Sequence, residues 1–221
     1  MTLKALVFDL DGTLVDTAPD LLLATNHALS LAGRPAISPS QLRSFVGHGA
    51  MDLIRRGIAA TGDELPDGEV KRLHKAMLDF YADNIARESR VFPGLIALLN
   101  KCKAHGLKMG VCTNKVERLS NKLLDEIGLA PYFDAVVGGD TLPIMKPDPA
   151  PYLEVARRLG EDARKSAMFG DSETDIRTAQ NVGVPVIAVT FGYTARPVSE
   201  FSPTYIIDHF DQAWDHIAAR L

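Results

Sequence analysis

Residues 5–13 read Ala5-Leu6-Val7-Phe8-Asp9-Leu10-Asp11-Gly12-Thr13. A short apolar run ends at two acids one residue apart, followed by a glycine. The run predicts a buried strand over Leu3–Leu10. Side-chain alternation along a strand aims Asp9 and Asp11 to one side and Leu10 to the other. Gly12 lets the backbone turn tightly and come close to a ligand. Taken alone, Asp-x-Asp-Gly is more often a turn than a site, so the reading depends on the rest of the chain.

Outward from this stretch the pattern turns helical. Ala18–Leu31 reads as a helix that Gly33 and Pro35 end. Ser38, Pro39 and Gln41 form a capping-box start for a second helix. Val46-Gly47-His48-Gly49 breaks the pattern, and helices follow over Ala50–Ala60 and about 67–88. From Val91 the texture changes. Phe92-Pro93-Gly94 precedes a helix to His105, and strands over Lys108–Thr113, Ala135–Gly138, Ala167–Phe169, Val186–Val189 and Tyr205–Ile207 alternate with helices over Val116–Ile127, Pro149–Leu159 and Thr174–Asn181, with a terminal helix last. Such alternation argues an α/β fold: a Rossmann-like parallel-sheet core with helices on both faces. The expected organisation is a catalytic core of residues 1–14 and 88–221, with residues 15–87 inserted after the first strand as an all-helical cap.

Composition narrows the partners. The chain has 221 residues, 46% hydrophobic and 24% charged, with a formal net charge of −4. No basic block is present, which argues against nucleic acid. No apolar run reaches transmembrane length or resembles a signal peptide, so no membrane association is expected. Cys102 and Cys112 are too few for a disulfide framework or a metal set and read as reduced thiols, which fits a cytoplasmic protein. Oligomeric state, monomer or homodimer, is left open.

Parallel α/β sheets place their sites beyond the carboxyl ends of the strands. Four polar clusters fall there: Asp9–Thr13, Thr113-Asn114-Lys115, Lys146-Pro147-Asp148-Pro149, and Gly170-Asp171-Ser172-Glu173-Thr174-Asp175. Each could be a turn or a helix cap; four at one sheet edge would be a surplus of caps. If Asp9, Asp11, Asp171 and Asp175 share a cleft, like charges ~4 Å apart repel by about 4 kcal/mol per pair at an effective dielectric of about 20. Such a cluster calls for a cation. Hard oxygen donors without His or Cys make it Mg²⁺. One of the two first carboxylates suits metal binding and attack, the other proton transfer. Thr113 offers a hydroxyl, Thr113 and Asn114 offer backbone N–H groups to phosphate oxygens, and Lys146 offers a positive charge. Asp171 and Asp175, four apart, would face the same way on a helical turn.

In order and spacing these clusters resemble the four motifs of the haloacid dehalogenase superfamily, and within it the bacterial phosphoglycolate phosphatases. The likeness is carried by Asp9–Asp16, Phe45–Gly49, Val91–Gly94, Thr113–Lys115, Lys146–Pro149 and Gly170–Asp175. It implies that Asp9 is phosphorylated and that Asp11 is acid, then base. It implies that Thr113 and Lys146 hold the phosphoryl group. It further implies that Asp9, the Asp11 backbone carbonyl and Asp171 ligate Mg²⁺, with Asp175 as a supporting carboxylate. The expected partner is a small phosphorylated metabolite, 2-phosphoglycolate foremost; pyrophosphate, a nucleotide, a sugar phosphate, or phosphosugar mutase chemistry are the alternatives.

Other readings fit less well. A receiver-type regulator would not need the helical insertion. Dehalogenation would not call for an acid at position 11. Phosphonate cleavage would need a cap lysine, and Lys71 and Lys75 read as solvated. An inactive binding module would be expected to have lost an acid or Lys146. For the substrate's carboxylate, glycines flanking His48 at the start of the helix from Ala50 make Gly47, His48 and Gly49 candidate binding residues, with Arg43, Arg55 and Arg56 as weaker ones.

Overall fold

The structure, a computed structural model, describes residues 2–194 and 196–220. In chain order the elements are β1 (Ala5–Phe8), β2 (Val15–Asp16), α1 (Ala18–Ser30), α2 (Pro39–Phe45), α3 (Ala50–Thr61), α4 (Asp67–Asp83), β3 (Arg90–Val91), α5 (Leu95–Ala104), β4 (Lys108–Cys112), α6 (Glu117–Glu126), β5 (Ala135–Val137), α7 (Ala150–Leu159), β6 (Ser166–Gly170), α8 (Glu173–Val182), β7 (Val186–Val189), β8 (Tyr205–Ile207) and α9 (Ala213–Ala218). Six strands form one parallel sheet in the order β5-β4-β1-β6-β7-β8.

Alternation along the strands sorts the core into two layers. Leu6 and Phe8 pack with α5, α6 and α9 residues such as Leu99, Leu123 and Ile217. Ala5 and Val7 face α7 and α8 through Tyr152, Val155 and Ile176. All four β1 side chains are fully buried, as expected of a strand covered on both faces. Phe8 is in register with Val111 on one side and Phe169 on the other. The residues that follow these three strands therefore leave the sheet at one level, and β1, with its chain continuing to either side, marks the crevice where such sheets carry their sites.

Between β2 and β3 the chain builds a unit of four helices, α1 to α4. It leaves through β2 and returns through β3, which pair antiparallel as a two-stranded ribbon with Val15 opposite Val91. The expected helix over about 67–88 ends earlier, at Asp83. Beyond that end, Asp20 on α1 holds the chain. Its buried carboxylate accepts from the backbone N–H groups of Glu88 (3.0 Å) and Ser89 (2.8 Å) and from the Ser89 hydroxyl (2.7 Å). Those N–H groups cannot also serve a helix, and each hydrogen bond to an ionised carboxylate is of the stronger kind. The capping box at Ser38 and Gln41 forms as expected. Among the described residues no helix is long and apolar enough to cross a membrane, and both cysteines are buried free thiols.

Candidate active site

The first strand is shorter than Leu3–Leu10, but Asp9 still continues its ladder, its N–H donating to the Phe169 carbonyl at 2.9 Å. The chain then turns: Gly12 has φ +85°, and a Cβ there would lie 2.5 Å from Oδ2 of Asp171. Only glycine allows this approach. Asp9 and Asp11 thus leave the sheet on a turn rather than a straight strand. Their carboxylates separate, and each meets its own lysine.

Lys146 Nζ donates to Oδ1 of Asp9 (2.8 Å) and to Oδ1 of Asp175 (2.6 Å), all three side chains being buried. Lys115 Nζ lies 3.0 and 3.2 Å from the two oxygens of Asp11, and the Thr17 hydroxyl donates to Asp11 at 2.8 Å. Asp171 accepts from the Thr13 hydroxyl (3.1 Å) and the Tyr193 backbone N–H (2.6 Å). Asp171 and Asp175 do not share a helical turn as expected. Asp171 precedes the helix, Ser172 is its N-cap, and Asp175 completes a capping box. Oδ2 of Asp175 accepts from the N–H groups of Asp171 (3.2 Å) and Ser172 (3.1 Å) and from the Ser172 hydroxyl (2.7 Å). The two acids meet through the cap, not through helical periodicity.

Oxygens of Asp9, Asp171 and Asp175 lie within 4.8 Å of one another, all buried. Their electrostatics favour a cation. Burial, and next the charge of Asp175, push the Asp9 carboxyl up to about 7. Burial, then Asp175 and Asp9, hold Asp171 well above the usual carboxylate range. Burial works against the Lys146 ammonium, but Asp175 and Asp9 outweigh it and raise its pKa. Four carboxylates here face two ammonium groups, a formal surplus of two negative charges. An all-oxygen donor set with that surplus fits a hard divalent ion. Asp175 accepts four hydrogen bonds, three of them on Oδ2, against one on each oxygen of Asp171 and one on Asp9, so Asp9 and Asp171 have the freer lone pairs.

Beside Asp9 and Asp11 lies a cavity of about 60 Å³, bounded on one side by the helical unit and on the other by the strand ends. At ~10–15 Å³ per enclosed water it has room for about four to six waters, the scale of a small metabolite. Gly47 (φ +115°) and Gly49 (φ +86°) line it together with Thr113 and Asn114.

A sequence model of the haloacid dehalogenase-like hydrolases matches residues 6–189, spanning every motif residue described above. The chain belongs to this family. The phosphoglycolate phosphatase of Mesorhizobium japonicum is 45% identical over all of this chain and 97% of its own length. That of Agrobacterium fabrum is 42% identical over 92% of this chain and 88% of its own. The crystal structure of a predicted phosphoglycolate phosphatase from Haemophilus somnus 129pt superposes with a TM-score of 0.93 at 31% identity, covering 98% of both chains.

Within this haloacid dehalogenase-like hydrolase the expected residues fall unevenly. Asp9, Asp11, Lys146, Asp171 and Asp175 converge. Thr113 is buried beside them, but its backbone N–H donates to the Val137 carbonyl (3.0 Å) and is not free for phosphate, because β4 and β5 stay paired to that point. The Asn114 side chain is also committed. Its amide nitrogen donates to the carbonyls of Gly47 (2.9 Å) and Lys146 (3.1 Å), and its oxygen accepts from the Lys146 N–H (3.0 Å). It ties the glycine loop and the lysine loop to β4. His48 is exposed and does not line the cavity. Arg43, Arg55 and Arg56 pair with Asp16, Asp67 and Asp52 respectively. Lys71 and Lys75 are exposed on α4.

Sequence reading missed Tyr193, Tyr81 and Thr17. Tyr193 joins Asp171 to the ribbon: its hydroxyl donates to Asp16 at 2.5 Å and accepts from the Ala18 N–H at 2.9 Å. A signal was present in Phe191-Gly192-Tyr193, a glycine just after a strand end, where a Cβ on Gly192 would sit 2.2 Å from Asp171.

Proposed function

We propose that this chain is a Mg²⁺-dependent phosphomonoester hydrolase that works through an aspartyl-phosphate on Asp9, with 2-phosphoglycolate as its substrate. The observation that carries this reading is the pairing of Asp9 with Lys146 inside a buried carboxylate cluster, one residue from a second acid held by a different lysine. Two carboxylates in different environments suit two roles.

In this mechanism an Asp9 carboxylate oxygen attacks the phosphorus. The bond from phosphorus to the bridging oxygen breaks, and Asp11 delivers a proton to that oxygen. Asp11, now ionised, takes a proton from water as the water attacks the acyl phosphate. The bond from Asp9 to phosphorus breaks, and inorganic phosphate and free Asp9 are regenerated. Lys146 and the Thr113 hydroxyl hold the non-bridging oxygens, where charge stabilisation by fixed donors is worth most. Asp9, Asp171 and the Asp11 backbone carbonyl would hold Mg²⁺, with Asp175 fixing Lys146 and the loop of Asp171. When bound, the ion neutralises the repulsion between phosphate and carboxylate. The four-helix unit acts as a cap over residues 15–87 and supplies substrate selection through Gly47 and Gly49, whose loop precedes the first turn of α3.

The substrate is supported by the curated relatives named above, at 42–45% identity over nearly whole chains, and by the small cavity. A hydrolysis panel of 2-phosphoglycolate, sugar phosphates, nucleotides and pyrophosphate tests it. We expect phosphoglycolate to have the highest kcat/KM, and mass spectrometry of acid-quenched enzyme to place phosphate on Asp9. Phosphate found on another residue, or a better substrate in the panel, refutes the corresponding half.

A further inference from the structure

Lys115 is the one residue of the Thr113-Asn114-Lys115 cluster that the chemistry above leaves without a task. Its side chain is buried, with the ammonium 4.2 Å from the centre of the Tyr81 ring and 2.8 Å from the Tyr81 hydroxyl. An ammonium has three N–H donors. Both Asp11 oxygens, 3.0 and 3.2 Å away, and the Tyr81 hydroxyl are its protein acceptors, so a ligand oxygen would share the ammonium with Asp11. Lys115 also lines the cavity.

The charges around that cavity make the position informative. Among its lining residues Lys115 is the only lysine or arginine; the other charged ones are Asp9 and Asp11. The rest of the wall is mostly apolar, with Leu21, Leu53, Met77, Val116 and Leu119, beside the uncharged polar residues Tyr81, Thr113 and Asn114. A substrate carboxylate placed against two aspartates and an aliphatic wall would be repelled and undersolvated unless it met this ammonium. Arg43, Arg55, Arg56 and Lys146 do not line the cavity.

We propose that Lys115 is the specificity-determining cation that reads the substrate's carboxylate, braced from the helical unit by Tyr81. This rests on the phosphoglycolate reading above. Asp11 protonates the bridging oxygen, so that oxygen lies within hydrogen-bond reach of Asp11. The carboxylate carbon is two bonds further on, and the Lys115 ammonium adjoins Asp11. The same ammonium would thus meet a carboxylate on the atom next to the leaving oxygen, and the apolar wall would leave the hydroxyls of a sugar or nucleoside unpaired.

The test is binding, measured by calorimetry on the Mg²⁺-loaded protein. The probes are 3-phosphonopropionate, in which a methylene replaces the bridging oxygen, and propylphosphonate, which lacks the carboxylate. Neither has an oxygen for Asp11 to protonate, so a role of Lys115 in orienting Asp11 does not register. Wild type should bind the carboxylate probe at least about tenfold tighter, ~1.4 kcal/mol, and Lys115→Met should erase that preference while propylphosphonate affinity changes less. Because Lys115→Met leaves Asp11 without its lysine, the double variant Lys115→Met/Asp11→Asn removes both charges and should show the same loss if the single variant fails to fold. A preference retained in either variant overturns the role of Lys115 and leaves the substrate assignment standing. No preference in wild type overturns the proposal along with carboxylate recognition itself.

Discussion

The Lys146 ammonium stands 2.8 Å from Asp9 and 2.6 Å from Asp175, one cation shared between the proposed nucleophile and a capping carboxylate. Its position makes Asp9 the centre of the site. Asp9→Asn is nearly isosteric, and the fold should survive. Uncatalysed phosphate-ester hydrolysis is so slow that the site must supply nearly all of the rate, so the variant should lose at least about a thousandfold in kcat, ~4 kcal/mol. A folded Asp9→Asn enzyme that retains more than about a tenth of wild-type turnover, a loss of only ~1.4 kcal/mol, is incompatible with covalent catalysis there.

Asp171 and Asp175 should separate metal binding from stability. Asp175 has both oxygens committed to Lys146 and to the start of α8, whereas Asp171 accepts one bond on each oxygen. Asp171→Asn should weaken Mg²⁺ binding more than Asp175→Asn. Asp175→Asn should cost more in thermal stability, on the order of 3–5 kcal/mol for breaking a buried pair. Metal titration and melting curves on both variants give the order; the reverse order would exchange their roles.

Metal dependence should carry a pH signature. The folded Asp9 carboxyl sits at about 7 against an ordinary value of 3.8. Below the lower value both folded and unfolded chains hold the proton. Between the two, only the folded chain holds it, so metal-free stability falls as pH rises through this window and levels off above about 7. Mg²⁺ competes with that proton, and its stabilisation of the fold should therefore grow from pH ~5 to ~8. EDTA should abolish activity and Mg²⁺ restore it. Ca²⁺ should not, because its looser and more numerous coordination misaligns Asp9. A Mg²⁺-induced melting shift that is flat with pH would remove Asp9 from the ligand set.

Gly49 has φ +86° at the N-cap of α3, a conformation costly for a branched residue. Gly49→Val should lower kcat/KM for phosphoglycolate by roughly tenfold or more, ~1.4 kcal/mol, with a smaller loss on an aryl phosphate. Equal losses on the two substrates would show that this loop does not select.

What could be read from the chain were the features written in local sequence. The apolar runs of β1, β4 and β7, the Ser38 capping box and the acids at strand ends depend on neighbours a few residues away. What escaped depends on residues far apart. The helix expected to about residue 88 stops short of the segment that Asp20 clasps at Glu88 and Ser89, and the first strand stops where Gly12 turns the chain toward Asp171. The Thr113 N–H, free in the sequence pattern, is consumed by the register of β4 with β5. The glycines on either side of His48 line the cavity and the exposed His48 does not. The link from Asp171 through Tyr193 to Asp16 leaves only a glycine before the tyrosine as its local mark.

The ribbon of β2 and β3 has a topological consequence. Since Val15 and Val91 pair side by side, the sheet meets everything between them as the tip of a single hairpin, whatever its length. The entropy of closing such a tip grows only slowly with length, by ~0.6 kcal/mol for each doubling. The helices of that tip beyond α1 could therefore be lengthened, shortened or exchanged with little effect on the sheet, and the clasp that Asp20 of α1 makes ensures that whatever sits there enters and leaves through one doorway.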